Sequence, residues 1–459
     1  MSEVGYLEAA AVLATALRFG INPSLDGIGA MCEELGRPQD SFDVIQVTGT
    51  NGKTSVARIT DALLRAEGLA SALYTSPELE RYPERMEIGG SVVGDGEFAR
   101  AVGAALEAAA RVAMSAGAAP GAAADATEFE LLTASALWLF RERGTEVAVL
   151  EVGMGGRWDA TSVTTPRVAV ITGVGLDHTA VLGATREAIA AEKAAIIKPG
   201  ATAVLGPGVA GVEDVFRAQI ARVGGHDWVA VLAADEPSFA HEELTVRYHV
   251  RSRPASPDGS TRMDVRGTRG SYTDLEVAAP AYQAGNVAIA IAAAEAHLGR
   301  ALDAKDVRRA VSGVRFPGRF EMVRHHPALI VDGSHNPEAA AVLAGAIRDA
   351  WPDSAQRPLV ALGILSDKDA DGIVAALAPV ASGFAVVAPD TPRARSAEEM
   401  GAVIGERTGV APVFVGTLAQ GLPELVRTHP GAMVITGSLA TAGQARAALR
   451  DILATKLEP

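Results

Sequence analysis

The chain has 459 residues, well beyond the ~250 at which single hydrophobic cores usually stop growing, so two domains are expected. Its hydrophobic fraction of 48% and charged fraction of 21% are those of a folded soluble protein. A net charge of −14 argues against a nucleic-acid binder, and any small anion must be met by locally placed Lys, Arg, metal ions or helix N-termini.

The opening MSEVGYLEAAAVLATAL carries Glu3 and Glu8 and no basic start, so it does not read as a signal peptide. To about Gln39 the apolar residues recur at helical spacing. Cys32 is the sole cysteine, which excludes an intramolecular disulfide and a cysteine-based zinc site and fits a reducing cytoplasm. No apolar run reaches the ~20 residues that span a bilayer.

DVIQV, from Asp43 to Val47, is a short apolar strand; TGTNGKTS follows, and SVARITDALLRAEG reads as a helix. A second strand, SALYTS, comes next, so the chain opens as a βαβ unit. Residues 103–126 are rich in Ala and Gly; the first part could be a helix, and SAGAAPGAAADAT reads as a mobile surface loop. FELLTASALWLFRER is helical by period. EVAVLEV and RVAVITGV are uniformly apolar strands of the kind covered on both faces. TREAIAAEKAAIIKPG reads as a helix with Pro199-Gly200 as its stop. From about 226 to 280 the texture becomes polar with short alternating runs, which suggests a small antiparallel β insertion. From about residue 318 five apolar runs (ALIVD, PLVALGIL, GFAVVAP, PVFVG and AMVITG) each precede a helical pattern, which predicts a second α/β unit of doubly wound type. The boundary is expected near Phe316–Arg319, giving domains 1–317 and 318–459 with a linker over about 298–317.

Gly49, Thr50, Asn51, Gly52, Lys53, Thr54 and Ser55 form a glycine loop between strand and helix. Glycines let backbone N–H groups approach phosphate oxygens, the helix N-terminus adds positive potential, and Lys53 supplies a mobile cation. A hydroxyl just after the lysine can reach Mg²⁺. The loop is shorter than the usual P-loop, with Val47 where the earlier glycine would stand. It also lacks GxGxxG and carries GK[TS] instead, which argues against a Rossmann dehydrogenase. Behind it, Glu151 ends the strand EVAVLEV, where ligands of α/β sheets collect, and is placed to hold a metal; the plainer alternative is a solvated carboxylate. His178 follows the next strand, where a structural hydrogen bond is the plainer role. Lys193 lies among apolar helical neighbours and could be a snorkelling surface lysine. The three together beside a phosphate loop point to Mg²⁺ whose other ligands are phosphate oxygens and water.

GTNGKTS, LYTSPELERYPERMEI, TEFELLTASALWLF, EVGMGGRWDATSV, GVGLDHTAVLGATREAIAAEKAAIIKPG, FPGRFE and VDGSHNP, in this order over about residues 40–445, resemble the bifunctional dihydrofolate synthase/folylpolyglutamate synthase family of the Mur ligase superfamily. The resemblance implies a Mur-ligase-type P-loop ATPase domain with a parallel sheet, joined to a C-terminal Rossmann-like ligase domain. It implies an ATP- and Mg²⁺-dependent ligase that adds L-glutamate to dihydropteroate or to the γ-carboxylate of reduced folates through an acyl phosphate. It also implies a cytoplasmic monomer that works without nucleic acid or membrane. Residue by residue, Ser76 and Glu151 would bind one Mg²⁺, and Glu151, His178 and a carbamylated Lys193 a second. Arg319 would reach the phosphates, Asp332 and His335 the nucleotide, and Asn286 the adenine. Phe129, Asp159 and Arg85 would lie at the pterin or folate site. Asp332 could instead cap the following helix. Lys53, Lys193, His178 and Arg319 are the expected catalytic set, and cleft closure about the linker would exclude water.

The sequence departs from the family at Thr54, usually glycine, at Tyr282, often histidine, and at SHNP, DATSV and GSLATAG. Two other readings compete: another Mur-superfamily amide ligase acting on a cell-wall peptide or related acid, and a nucleotide-dependent regulatory protein without catalysis. The intact set of Lys53, Ser76, Glu151, His178 and Lys193 speaks against the latter.

Overall fold

A computed structural model describes residues 5–16, 23–115, 117, 126–225 and 227–454. Most of the Ala/Gly-rich segment read as a mobile loop, 115–127, therefore lies outside the described residues. The chain divides into two compact units: Met1–His249 with Asp264–Leu275 and Gly285–Val311, and Val250–Met263 with Glu276–Ala284 and Ser312–Pro459. Among the described residues no helix is long and apolar enough to cross a membrane.

The larger sheet contains β1 (Asp43–Thr48), β2 (Ser71–Tyr74), β3 (Met86–Ile88), β4 (Ser91–Val92), β5 (Val147–Glu151), β6 (Val168–Gly173), β7 (Thr202–Gly208), β8 (Trp228–Ala233), β9 (Thr245–Ser252), β10 (Thr261–Arg266) and β11 (Ser271–Val277). Their spatial order is β11-β10-β9-β8-β7-β6-β1-β5-β2-β3-β4. From β2 across β5, β1, β6, β7 and β8 to β9 every neighbouring pair is parallel. The polar stretch expected to be an antiparallel insertion thus begins differently: β8 and β9 continue the main sheet in parallel, β8 because the helix Glu213–Arg222 carries the chain back over the sheet, and β9 after the connection 234–244, which holds the 3-10 turn Glu242–Leu244. Alternation of exposed and buried residues, the cue for an antiparallel hairpin, is real in β10 and β11.

Parallel strands need crossover helices on both faces, which is why β1, β5 and β6 read as continuous apolar runs. Ile45, Val47, Val149 and Val170 on one face are buried, and so are Val44, Ala148, Leu150, Ala169 and Ile171 on the other. That second face carries two separate apolar clusters. One gathers Tyr74, Phe98, Leu137, Phe140 and Leu150 with the helices Asp26–Glu34, Asp95–Ser115 and Glu128–Glu142. The other gathers Ile171, Ile189, Leu205 and Phe216. Between them runs β1, whose residues Gln46 and Thr48 share the face of Leu150, Ala169 and Ile171 by register. Both are fully buried and polar. Gln46 Nε2 donates to Thr161 Oγ1 and Ser162 Oγ at 2.9 Å each, and Thr48 Oγ1 donates to the Gly155 carbonyl at 2.7 Å. A polar seam along the central strand therefore anchors the segment 155–162.

The smaller sheet has the order β12-β13-β17-β14-β15-β16, with β12 (Glu321–Arg324), β13 (Leu329–Val331), β14 (Leu359–Leu362), β15 (Gly383–Ala388), β16 (Val415–Thr417) and β17 (Met433–Thr436). The five expected apolar runs are its parallel strands β13 to β17, each followed by a helix. The short β12 adds antiparallel to β13.

Cys32 is wholly buried in the first cluster, and burial, helped by Glu33 and Asp40, pushes its thiol up to about 12. The folded protein should resist iodoacetamide at about pH 8 and be alkylated only once unfolded in urea. Rapid labelling of the folded chain, followed by mass spectrometry, would show that this packing is wrong.

Candidate active site

The glycine loop joins β1 to the helix Lys53–Ala66, whose N-cap is Gly52 at φ 84°. A side chain there would be strained, and its Cβ would also lie 2.7 Å from Asn286 Oδ1. Asn286, at the start of the helix Gln283–Leu298, is thus brought against the loop. Lys53 Nζ donates to the carbonyls of Gly49 at 3.1 Å and Thr50 at 3.2 Å, which holds the ammonium over the loop.

Glu151 is 1% exposed, so it is not a solvated strand-end carboxylate. Register explains its position: it pairs with Val47, two residues before the loop. Its Oε1 accepts from Thr54 Oγ1 at 2.8 Å and its Oε2 from the Ser76 amide at 3.2 Å. One carboxylate thereby joins the first helical turn, where the helix dipole favours an anion, to the segment after β2. Thr54 is the residue that departs from the family glycine, and here it meets a proposed metal ligand directly.

Lys193 lies in the last turn of the helix Arg186–Ala194 and is 3% exposed, which removes the snorkelling alternative. Burial, and then the neighbouring Lys53 charge, lower it to about 7, against the opposing pull of Asp177 and Asp159. His178 is different: its side chain is 48% exposed, its backbone is left-handed at φ 51°, and it precedes the short helix Thr179–Leu182. Among the described residues no three His, Cys, Asp or Glu side chains gather as a metal cage. Ser76, Glu151 and Thr54 carry hard oxygen donors of the kind Mg²⁺ takes beside phosphate and water.

The residues expected at a pterin or folate site converge on Tyr74, which the motifs did not single out. The Phe129 ring packs on it with centroids 6.0 Å apart. The Tyr74 hydroxyl pairs with Thr133 Oγ1 at 3.3 Å and feels both Arg85 and Asp159. A Cβ on Gly153 would lie 2.8 Å from Phe129 Cζ and 3.2 Å from Asp159 Oδ2, so only glycine lets these two approach each other. Asp159 accepts from Thr161 N at 3.0 Å, Thr161 Oγ1 at 2.5 Å and Met154 N at 3.1 Å. Burial raises its carboxyl, and these donors offset part of the rise. Arg85 is buried and pairs through Nε with Glu78.

Arg319, Asp332 and His335 lie in the second unit. Gly333 N donates to the Gly318 carbonyl at 2.8 Å, and a Cβ on Gly333 would sit 2.5 Å from Arg319 Nη1, so the two loops lie side by side. Asp332 does not cap the next helix; Asn336 does, accepting from Ala339 N at 2.8 Å. The Asp332 carboxylate takes Phe320 N at 2.8 Å, Ser334 N at 2.8 Å and Ser334 Oγ at 2.5 Å, bracing the Arg319 turn against the His335 loop. His335 Nδ1 is 2.9 Å from the Gly333 carbonyl, so Nδ1 donates and the ring turns its Nε2 edge away from that carbonyl.

A phosphate loop facing a buried carboxylate and a buried lysine in one α/β unit, with a second α/β unit following, defines an ATP-dependent ligase of the Mur type. Residues 98–294 match the Mur ligase middle domain, and residues 318–438 match the Mur ligase, glutamate ligase domain. The dihydrofolate synthase/folylpolyglutamate synthase of Mycobacterium tuberculosis is 36% identical over 455 residues, covering 93% of this chain and 90% of that protein. The folylpolyglutamate synthase of the same organism complexed with ADP superposes with a TM-score of 0.85 at 33% identity, covering 97% of this chain and 98% of the other. Escherichia coli FolC in complex with DHPP and ADP gives a TM-score of 0.81 at 27% identity, covering 98% of each chain. The chain belongs to the dihydrofolate synthase/folylpolyglutamate synthase family.

Replacing Asp332 with Ala strands two backbone amides and a hydroxyl, which should cost roughly 1–3 kcal/mol. Urea unfolding without nucleotide measures it; an unchanged midpoint would mean that the brace carries no stability.

Proposed function

We propose that this ligase joins the amino group of L-glutamate to the pteroate carboxyl of dihydropteroate and to the γ-carboxyl of reduced folates, in the cytoplasm and as a monomer. The observation that carries the reading is Glu151, buried between Thr54 and Ser76 at the mouth of the glycine loop, in the same unit as the Tyr74, Phe129 and Asp159 cluster. The acceptor carboxylate attacks the γ-phosphorus of ATP; the bond to the β-phosphate oxygen breaks and ADP leaves. The glutamate amine then attacks the acyl carbon, the carbon–oxygen bond to phosphate breaks, and the amine gives up its proton. The loop amides, Gly49 to Ser55, and Lys53 hold the phosphates in line, which is most of what such a transfer requires.

Ser76 and Glu151 would hold one Mg²⁺, and Glu151, His178 and Lys193 a second. The buried hard-oxygen donors fit that ion, which when bound neutralises phosphate charge. A lysine at about 7 is substantially neutral at physiological pH, so its amine can add to carbon dioxide, lose one proton and become an anionic oxygen donor. Phe129 offers a ring to the pterin, and Asp159 and Arg85 offer polar groups. Asn286 would meet adenine. From residues 318–459, assigned as the ligase domain, Arg319 and His335 would reach the nucleotide, held in place by Asp332.

The test is phosphate release from ATP with Mg²⁺ and L-glutamate, comparing dihydropteroate, tetrahydrofolate and no acceptor, with products weighed by mass spectrometry. Turnover with both acceptors is expected. Silence with both, in a folded sample that binds ADP, would overturn the folate reading and favour another Mur-superfamily acceptor. For Lys193, native mass spectrometry should find one added carbon dioxide, absent in Lys193→Ala. That variant should lose about a hundredfold in rate and regain part of it with acetate or formate. A variant as fast as the parent would remove Lys193 from the mechanism.

A further inference from the structure

The glycine loop is not held by its own helix alone. β6 ends at Thr172–Gly173, and three residues there and just beyond are stitched to it. Thr50 N donates to the Gly173 carbonyl at 3.0 Å. Thr50 Oγ1 accepts from Gly175 N at 2.9 Å and donates to the Gly175 carbonyl at 3.1 Å. Thr172, 6% exposed, donates from Oγ1 to the Asn51 carbonyl at 2.5 Å. The fit is close: a Cβ on Gly49 would lie 1.8 Å from that same hydroxyl.

The Asn51 contact decides which way a peptide faces. Gly52 has φ 84° and ψ −9°, the geometry of the third residue of a type II turn. Glycine there makes the alternative type I arrangement accessible by rotating the Asn51–Gly52 peptide through about half a turn. In a trans peptide the C=O and N–H point in opposite directions. With its carbonyl fixed toward β6 by Thr172, this peptide turns the Gly52 N–H away from β6. The rotated form would present a carbonyl oxygen, which repels phosphate, where an amide donor is needed.

We propose that Thr172 is a positioning residue for the ligase reaction, its hydroxyl locking the Asn51–Gly52 peptide so that the amide faces the nucleotide phosphates. The proposal rests on the reading that the glycine loop binds those phosphates. It assigns a role to a residue outside the loop, on a strand whose end otherwise looks like ordinary sheet.

Thr172→Ala removes the hydroxyl without adding bulk beside Gly49, and Thr172→Ser retains it. Calorimetric titration with ADP and Mg²⁺ should show affinity about tenfold weaker for Thr172→Ala, the loss of one hydrogen bond's orienting effect, with Thr172→Ser close to the parent. In turnover the KM for ATP should rise by a similar factor while the KM for the acceptor and for glutamate stays put. A merely structural role would lower the melting temperature and the binding stoichiometry, leaving the affinity of the folded fraction unchanged; that result, or parental affinity, overturns the proposal. Lys53→Ala is the control: if it too binds ADP like the parent, the phosphate-loop reading fails, whereas a weakened Lys53→Ala beside an unaffected Thr172→Ala sinks the Thr172 assignment alone.

Discussion

The site depends on β1 lying between β5 and β6 in parallel register. Parallel neighbours about 4.8 Å apart deliver their carboxyl ends to one edge, so the segments that leave them are forced together. The glycine loop leaves β1, Glu151 closes β5, Ser76 follows β2, and Thr172 is the penultimate residue of β6. Had β5 paired elsewhere, the carboxylate would have no phosphate loop to face. The polar seam of Gln46 and Thr48 extends this logic beneath the edge, since both use their buried side chains to hold the segment that carries Asp159.

Charge is handled locally in an acidic chain. Glu151 sits at the N-terminal turn of the helix Lys53–Ala66, where dipole and hydroxyl favour it. Lys193 is buried within the field of a second lysine, which drives it toward the neutral amine. Asp177 and Asp159 pull the other way, so the balance at this lysine is struck between burial with a like charge on one side and two carboxylates on the other. In the second unit Asp332 accepts two backbone amides and a hydroxyl, which braces two loops against each other.

Much of this was legible in the residues. The apolar runs marked the parallel strands of both sheets because burial on two faces leaves no other pattern, and the capping box of Thr127 and Glu130 lies at the start of the helix read from FELLTASALWLFRER. Glycine, lysine and hydroxyl at fixed offsets marked the phosphate loop because backbone approach to an anion demands them. The short β12 and the parallel placement of β8 and β9 were not legible, since strand direction depends on where the connecting segment returns the chain. Nor was Tyr74, an apolar-looking residue whose importance comes from what packs around it.

The sequence by itself determined the chemistry available: a phosphate loop, a strand-end carboxylate, a lysine among apolar neighbours, and family motifs in order. Tertiary structure decided which of those groups meet, how deeply each is buried, and therefore which charge each carries. It alone brought Thr54 to Glu151, Phe129 to Asp159 across Gly153, and Thr172 to the Asn51 carbonyl. Those neighbours stand between 30 and 121 positions apart along the chain. Local spacing reports what one helix or strand can present, and only the packing of the sheet sets what stands opposite.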